Sequence, residues 1–197
     1  MTRHFLMTAL AGASLLIAAA PAAHAENIYC SFTGQKQGPI KGDRGLNGDA
    51  TQIPVQALGQ SIVSPRDPVS GLPTGRRQYQ PLQLQKMLDA ASPMLFNALA
   101  TNENLTSVVC TFYRRSPASA ASQGSGVAMQ TSLKAYFRIK LTNANLAGLE
   151  LTGTGTTAGA VFTGNEFEKI TMTFQKIELT DLDSGTSASD DWESPAV

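Results

Sequence analysis

"FEKITMTFQKIEL", residues 167–179, alternates Ile170, Met172 and Phe174 against Thr171, Thr173 and Gln175. Successive side chains of a strand point to opposite faces, so a period of two marks a strand with one face in a core and the other toward water. After Phe174 the apolar phase shifts to Ile177 and Leu179. A shift of that kind predicts a bulge or bend within the strand.

The same alternation recurs upstream. "AYFRIKL" (135–141) sets Phe137, Ile139 and Leu141 opposite Arg138 and Lys140, and "SVVCTFYR" (107–114) aligns Val108, Cys110 and Phe112. Ile28, Cys30 and Phe32 share one face of residues 28–33, residues 53–63 are strand-like, and Leu82 and Leu84 repeat the period in "PLQLQ". "NLAGLEL" (145–151) is a weaker strand signal. The helical signal of the mature chain lies at 94–100, with apolar residues at 94, 95, 98 and 99; Ser92 is expected at its N-cap and Pro93 at its first position. "GPIKGDRGLNGDA" (38–50) reads as a flexible loop, and "SPASAASQGSG" (116–126) and "TGTGTTAG" (152–159) as low-complexity inserts. Several strands, one helix and no βαβ rhythm predict a mainly β domain: a compact antiparallel β-barrel or sandwich with one flanking α-helix at about 92–101 and a long extended loop at about 64–81.

The first 25 residues, MTRHFLMTALAGASLLIAAAPAAHA, combine basic Arg3, an apolar run at 6–20 and the box Ala23-His24-Ala25. They read as a secretory signal peptide cut between Ala25 and Glu26, leaving one domain at 26–197 in the periplasm or outside the cell. The mature chain then carries fourteen basic and fifteen acidic residues, a net charge of −1. That balance provides no field for nucleic acid, and no polybasic stretch or further apolar run predicts membrane insertion after processing. Both histidines, His4 and His24, fall within the leader. Cys30 and Cys110 remain, each on the apolar face of its strand; export favours a disulfide over two unpaired core thiols. Whether their strands adjoin is left open at this point.

A mature chain without histidine has no Ser-His or Cys-His nucleophile and no imidazole metal site. "GQSIV" (59–63) lacks the final glycine of a nucleophile elbow, and "GTGTTAG" lacks the lysine of a phosphate loop. In "DLDSGTSASDDW" (181–192) Gly185 falls one place early for a calcium loop and Trp192 stands where the glutamate is needed, so a solvated acidic tail is expected. No catalytic residue, metal or cofactor is assigned, and the chain is read as a non-enzyme.

"SPRDPVSGLPTGRRQYQP" (64–81) packs four prolines, two glycines and three arginines between two apolar-patterned segments. Loops of that length are uncommon and, when ordered, usually functional. Taken with "LDAASPMLFNAL" (88–99) and "GTSASDDWESP" (185–195), it resembles the hemolysin-coregulated protein (Hcp) family, the tube subunits of type VI secretion systems. "IPVQAL", "VVCTFYRRSP", "AYFRIKL" and "FEKITMTFQKI" continue the agreement in order through most of the mature chain.

The resemblance implies a β-barrel that assembles into a homo-hexameric ring, stacks into a tube, and carries secreted effector proteins or contacts other type VI components. It also implies that the 64–81 extension reaches a neighbouring subunit or ring. Within it Ser64, Arg66, Asp67, Pro68, Gly71, Pro73, Gly75, Arg76 and Arg77 are the candidate interface residues, the arginines offering forked contacts to a partner's carboxylates. Relatives are normally made without a cleaved signal. The leader and the cysteine pair therefore support a second reading, an exported periplasmic barrel acting as a monomeric binding or adaptor module.

Overall fold

The computed structural model describes residues 27–43, 45–115, 133–153 and 166–193. The signal peptide with its Ala25–Glu26 cleavage site, the 116–126 insert and most of 152–159 lie outside the described residues. Three long strands form the centre: β8 (Asn104–Arg115), β9 (Leu133–Thr152) and β10 (Phe167–Asp181) pair antiparallel in sequence order. β1 (Asn27–Gly34) lies beside β8, and β7 (Leu82–Met87) beside β10. "AYFRIKL" and "NLAGLEL" thus belong to one strand, β9.

The outer edge of β1 pairs with β2 (Gly38–Pro39) and β3 (Ile53–Val55), while the outer edge of β7 pairs with β4 (Ala57–Gly59). Only Gln56 separates β3 from β4, and its amide donates to the Gln85 carbonyl at 2.8 Å. A single seven-residue segment, 53–59, therefore bridges both edges of the curled sheet. The 38–50 stretch, expected as a flexible loop, supplies β2, a 3-10 turn at Leu46–Gly48 and a Gly42-to-Ala50 hydrogen bond of 2.8 Å. Glu103 fixes its start, accepting from the amides of Lys36 (2.7 Å) and Gln37 (2.8 Å).

The phase shift read in 167–179 is present, and it crosses the three central strands. Buried positions run 170, 172 and then 177 on β10; 139, 141 and then 144, 146 on β9; 105 and then 108 on β8. At the crossing Asn143 adopts φ 50°, and the ladder steps over Thr106, Asn143 and Gln175 without changing register on either side. One left-handed residue turns a strand sharply, and asparagine tolerates that conformation better than branched residues do. Because three strands bend at one level, their pairing survives. Leu179, beyond the bend, is exposed rather than core.

Inside the curl pack Cys30, Phe32, Leu82, Leu84, Val108, Cys110, Leu141, Ile170 and Met172, with the helix α1 (Ala91–Ala100) adding Leu95 and Ala98. The helix starts earlier than expected, and Ser92 is not its N-cap. Ala90 already has helical φ −60° and ψ −19°. Asp89 accepts from the Ala91 amide at 2.9 Å, while the Ser92 hydroxyl accepts from the Asp89 amide at 3.1 Å. Those are the two halves of a capping box, which places Asp89 at the cap and Ser92 in the first turn.

The same corner holds a buried ion cluster. Lys86 Nζ lies 2.6 Å from both Asp89 Oδ1 and Glu168 Oε1, and Ser92 Oγ donates to Glu168 at 2.9 Å. Across the sheet Cys30 and Cys110 stand directly opposite in the β1–β8 register and are joined by a disulfide, with Cα atoms 4.0 Å apart.

Candidate interaction surface

Residues 61–80 are not an irregular loop. They form a two-stranded hairpin in which β5 (Ile62–Val63) pairs with β6 (Gln78–Tyr79). At its base the Gln80 amide donates to the Ser61 carbonyl at 2.9 Å and Gln60 Nε2 to the Gln80 carbonyl at 3.1 Å. The ladder then continues through proline-rich sequence: Thr74 donates to the Pro65 carbonyl at 3.0 Å, Arg66 bridges Pro73, and Asp67 donates to the Leu72 carbonyl at 2.9 Å. A proline cannot donate to a ladder, but its carbonyl can accept, and these prolines stand where no donor is needed.

The tip is built by Asp67. Its Oδ1 accepts from the amides of Val69 and Ser70, both at 2.7 Å, and its carbonyl accepts from Gly71 at 2.9 Å. Those backbone bonds, the one from Ser70 foremost, hold the Asp67 carboxyl below the usual carboxylate range. Gly71 takes φ +71°, a conformation that costs glycine little. Arg66 Nη1 closes the tip by donating to the Gly71 carbonyl at 3.1 Å. Two apolar side chains are left in water there, Val69 at 95% and Leu72 at 64% exposure.

The candidate residues therefore divide. Arg66, Asp67, Gly71 and Pro73 shape the tip, and Arg77 is spent inside the subunit. Its Nε and Nη2 donate to the Asp190 carboxylate and Nη2 also to the Asp191 carbonyl at 3.0 Å. Ser64, Pro68, Gly75 and Arg76 are exposed, and Arg76 has no side-chain partner among the described residues. Of the three arginines, it is the one whose guanidinium makes no intramolecular bond among the described residues.

Asp190 belongs to β11 (Ser187–Asp191), which pairs with β10 at Lys176–Thr180. The tail expected to be solvated is thus a strand, turned by Asp181, whose Oδ1 accepts from the amides of Asp183 and Ser184 at 2.9 Å. Tyr79 completes the contact: its hydroxyl donates to Asp190 and its ring packs edge-on against Phe174, centroids 5.4 Å apart. Burial raises the Asp190 carboxyl, yet the hydrogen bonds from Arg77 and Tyr79 outweigh it and hold the group below its ordinary value. Desolvation, with the bond to Asp190, pushes the Tyr79 phenol up. An apolar groove of about 420 Å³ runs between this stem and the sheet, lined by Ile62, Tyr79, Phe137, Leu179 and Asp190 among others.

Among the described residues no cluster of His, Cys, Asp or Glu is arranged to hold a metal ion, and no helix is long and apolar enough to cross a membrane.

The family model "Type VI secretion system effector, Hcp" matches residues 29–180. A "Major exported protein" of Pseudomonas aeruginosa is 34% identical over 178 residues, spanning 86% of this chain and 96% of that protein. Among solved structures, one described as "Crystal structure of Hcp protein" superposes with a TM-score of 0.70 at 25% identity, covering 87% of this chain and all of that one. "Secreted protein Hcp3 from Pseudomonas aeruginosa" gives a TM-score of 0.62 at 28% identity, covering 84% and 99%. The family model spans most of the chain, a relative above 30% identity is covered almost whole, and the superpositions agree in fold: the chain belongs to the Hcp family of type VI secretion system proteins.

Proposed function

We propose that the protein is a ring-forming structural subunit of type VI secretion, which self-associates into a hexamer, stacks into a tube and carries effectors inside it. The observation that supports this reading is an ordered hairpin, 61–80, ending in exposed Val69 and Leu72. Apolar side chains held in water on a rigid element favour coverage by a second surface. A contact between two different patches, repeated by rotation, closes a ring or builds a stack. Arg76 adds a free guanidinium on the same element, where Ser64, Pro68 and Gly75 are also exposed.

The mature domain is 26–197, with residues 1–25 removed on export and the product periplasmic or extracellular. The relatives' descriptions as exported and secreted proteins support that address, and a disulfide fits an oxidising compartment. The test is assembly of purified 26–197 carrying Val69→Asp and Leu72→Asp together. Sedimentation velocity should show self-association weakened at least roughly ten-fold, as expected when anchor residues at an interface are replaced by charges. Assembly indistinguishable from the parent protein would remove the hairpin from the interface.

A further inference from the structure

We infer that Arg77, Tyr79 and Asp190 form a latch by which the C-terminal strand β11 sets the direction in which the 61–80 hairpin leaves the domain. This rests on the self-association reading, because the direction of the hairpin matters only if its tip must meet a second copy.

Among the described residues β5 and β6 pair only with each other; they run on from β4 and β7, which pair in the main sheet, so the stem is anchored at its base while neither of its long sides joins the ladder. Beyond that base, what holds the stem to one side is side-chain contact: the forked bond of Arg77 to Asp190, its further bond to the Asp191 carbonyl, and the Tyr79 hydroxyl on the same carboxylate. A guanidinium fork on a carboxylate fixes orientation as well as distance. The Tyr79 ring against Phe174 adds a second point of attachment on β10. Together these contacts hold the stem beside the apolar groove, which has Ile62 and Tyr79 on one wall and Leu179 and Ala188 on the other.

β11 is itself weakly held. Its sequence, SASDD, buries no apolar side chain, and it depends on backbone bonds to β10 and on this carboxylate. Elements with little apolar burial open at low cost in free energy. Stem and tail are therefore each held in place in part by the other. Arg77 acts on assembly as a positioning residue: the hairpin tip touches the partner, and Arg77 decides where the tip points.

The experiment uses residues 26–197 with Arg77→Ala, with Asp190→Ala, and with the charge exchange Arg77→Asp plus Asp190→Arg. Hydrogen exchange at the amides of residues 62–63, 78–80 and 187–191 should rise about ten-fold or more in both single variants, while β8 and β9 stay protected and the unfolding midpoint barely moves. Self-association in sedimentation should fall in both singles, and the charge exchange should recover part of both signals. Faster exchange with undiminished assembly would overturn the positioning role, and unchanged exchange would overturn the latch itself. A parent protein that stays monomeric would remove the assembly reading, whereas the exchange measurement would still decide whether the latch exists.

Discussion

Lys86 and Arg77 each hold a carboxylate from a distant part of the chain, Glu168 in one case and Asp190 in the other, but in different surroundings. The Lys86 and Glu168 side chains are 1% and 0% exposed, whereas Arg77 and Asp190 are 23% and 32% exposed. Burial decides what such a pair does. Two charges out of water must satisfy one another, so removing either leaves the other stranded at a cost to the whole fold. A pair still in touch with solvent adds little net stability and chiefly fixes geometry. The first cluster ties the helix cap to the sheet, and the second aims the hairpin.

The comparison breaks most visibly at Lys86. Lys86→Met should lower unfolding stability by about 3–5 kcal/mol in urea titration, with much of it regained when Glu168→Leu is added. A loss below about 1 kcal/mol would mean the buried pair is no more important than an exposed one. Next in size is the Cys30–Cys110 link, which closes a sequence separation of 80 residues. Cys110→Ala should cost about 2–4 kcal/mol while keeping the β1–β8 pairing, checked by equilibrium unfolding and far-ultraviolet circular dichroism.

The sheet and its bend were legible because alternation is a local property, written into residues such as Ile170, Met172 and Ile177. The hairpin was not: a ladder that uses Pro65 and Pro73 as acceptors or turn formers looks like coil in sequence. β11 escaped for a related reason, since Ser187–Asp191 has only one small apolar residue, Ala188, and so shows no alternation. The Ser92 cap falls three residues late because Asp89-Ala-Ala-Ser92 can be read with either polar residue as the cap. Arg77 and Asp190, 113 residues apart, could not be matched from one sequence. The arginine was visible as a cation seeking a carboxylate, but nothing local told it from Arg76.

Smaller effects sharpen the contrast through pH. Asp190 has its carboxyl lowered in the folded protein, so its contribution is present above the ordinary aspartate value, about 4, and is lost in more acid solution. Tyr79 has its phenol raised, so its contribution is present below about 10 and is lost as alkali ionises it. Exchange of the 78–80 amides, corrected for intrinsic rates, should therefore be flat between roughly pH 4 and 10 and rise at both ends. A transition near neutrality would place another titrating group in the latch. The mildest change is Gly71→Ala, which puts a β-carbon at φ +71° and should loosen the tip by about 1 kcal/mol, leaving the midpoint of global unfolding where it was.

The most direct measurement is native mass spectrometry of oxidised residues 26–197. A hexamer is the expected species, with higher multiples of six as the concentration rises. A monomer at all concentrations would contradict the tube-subunit account and leave the exported, disulfide-linked domain as a solitary binding module.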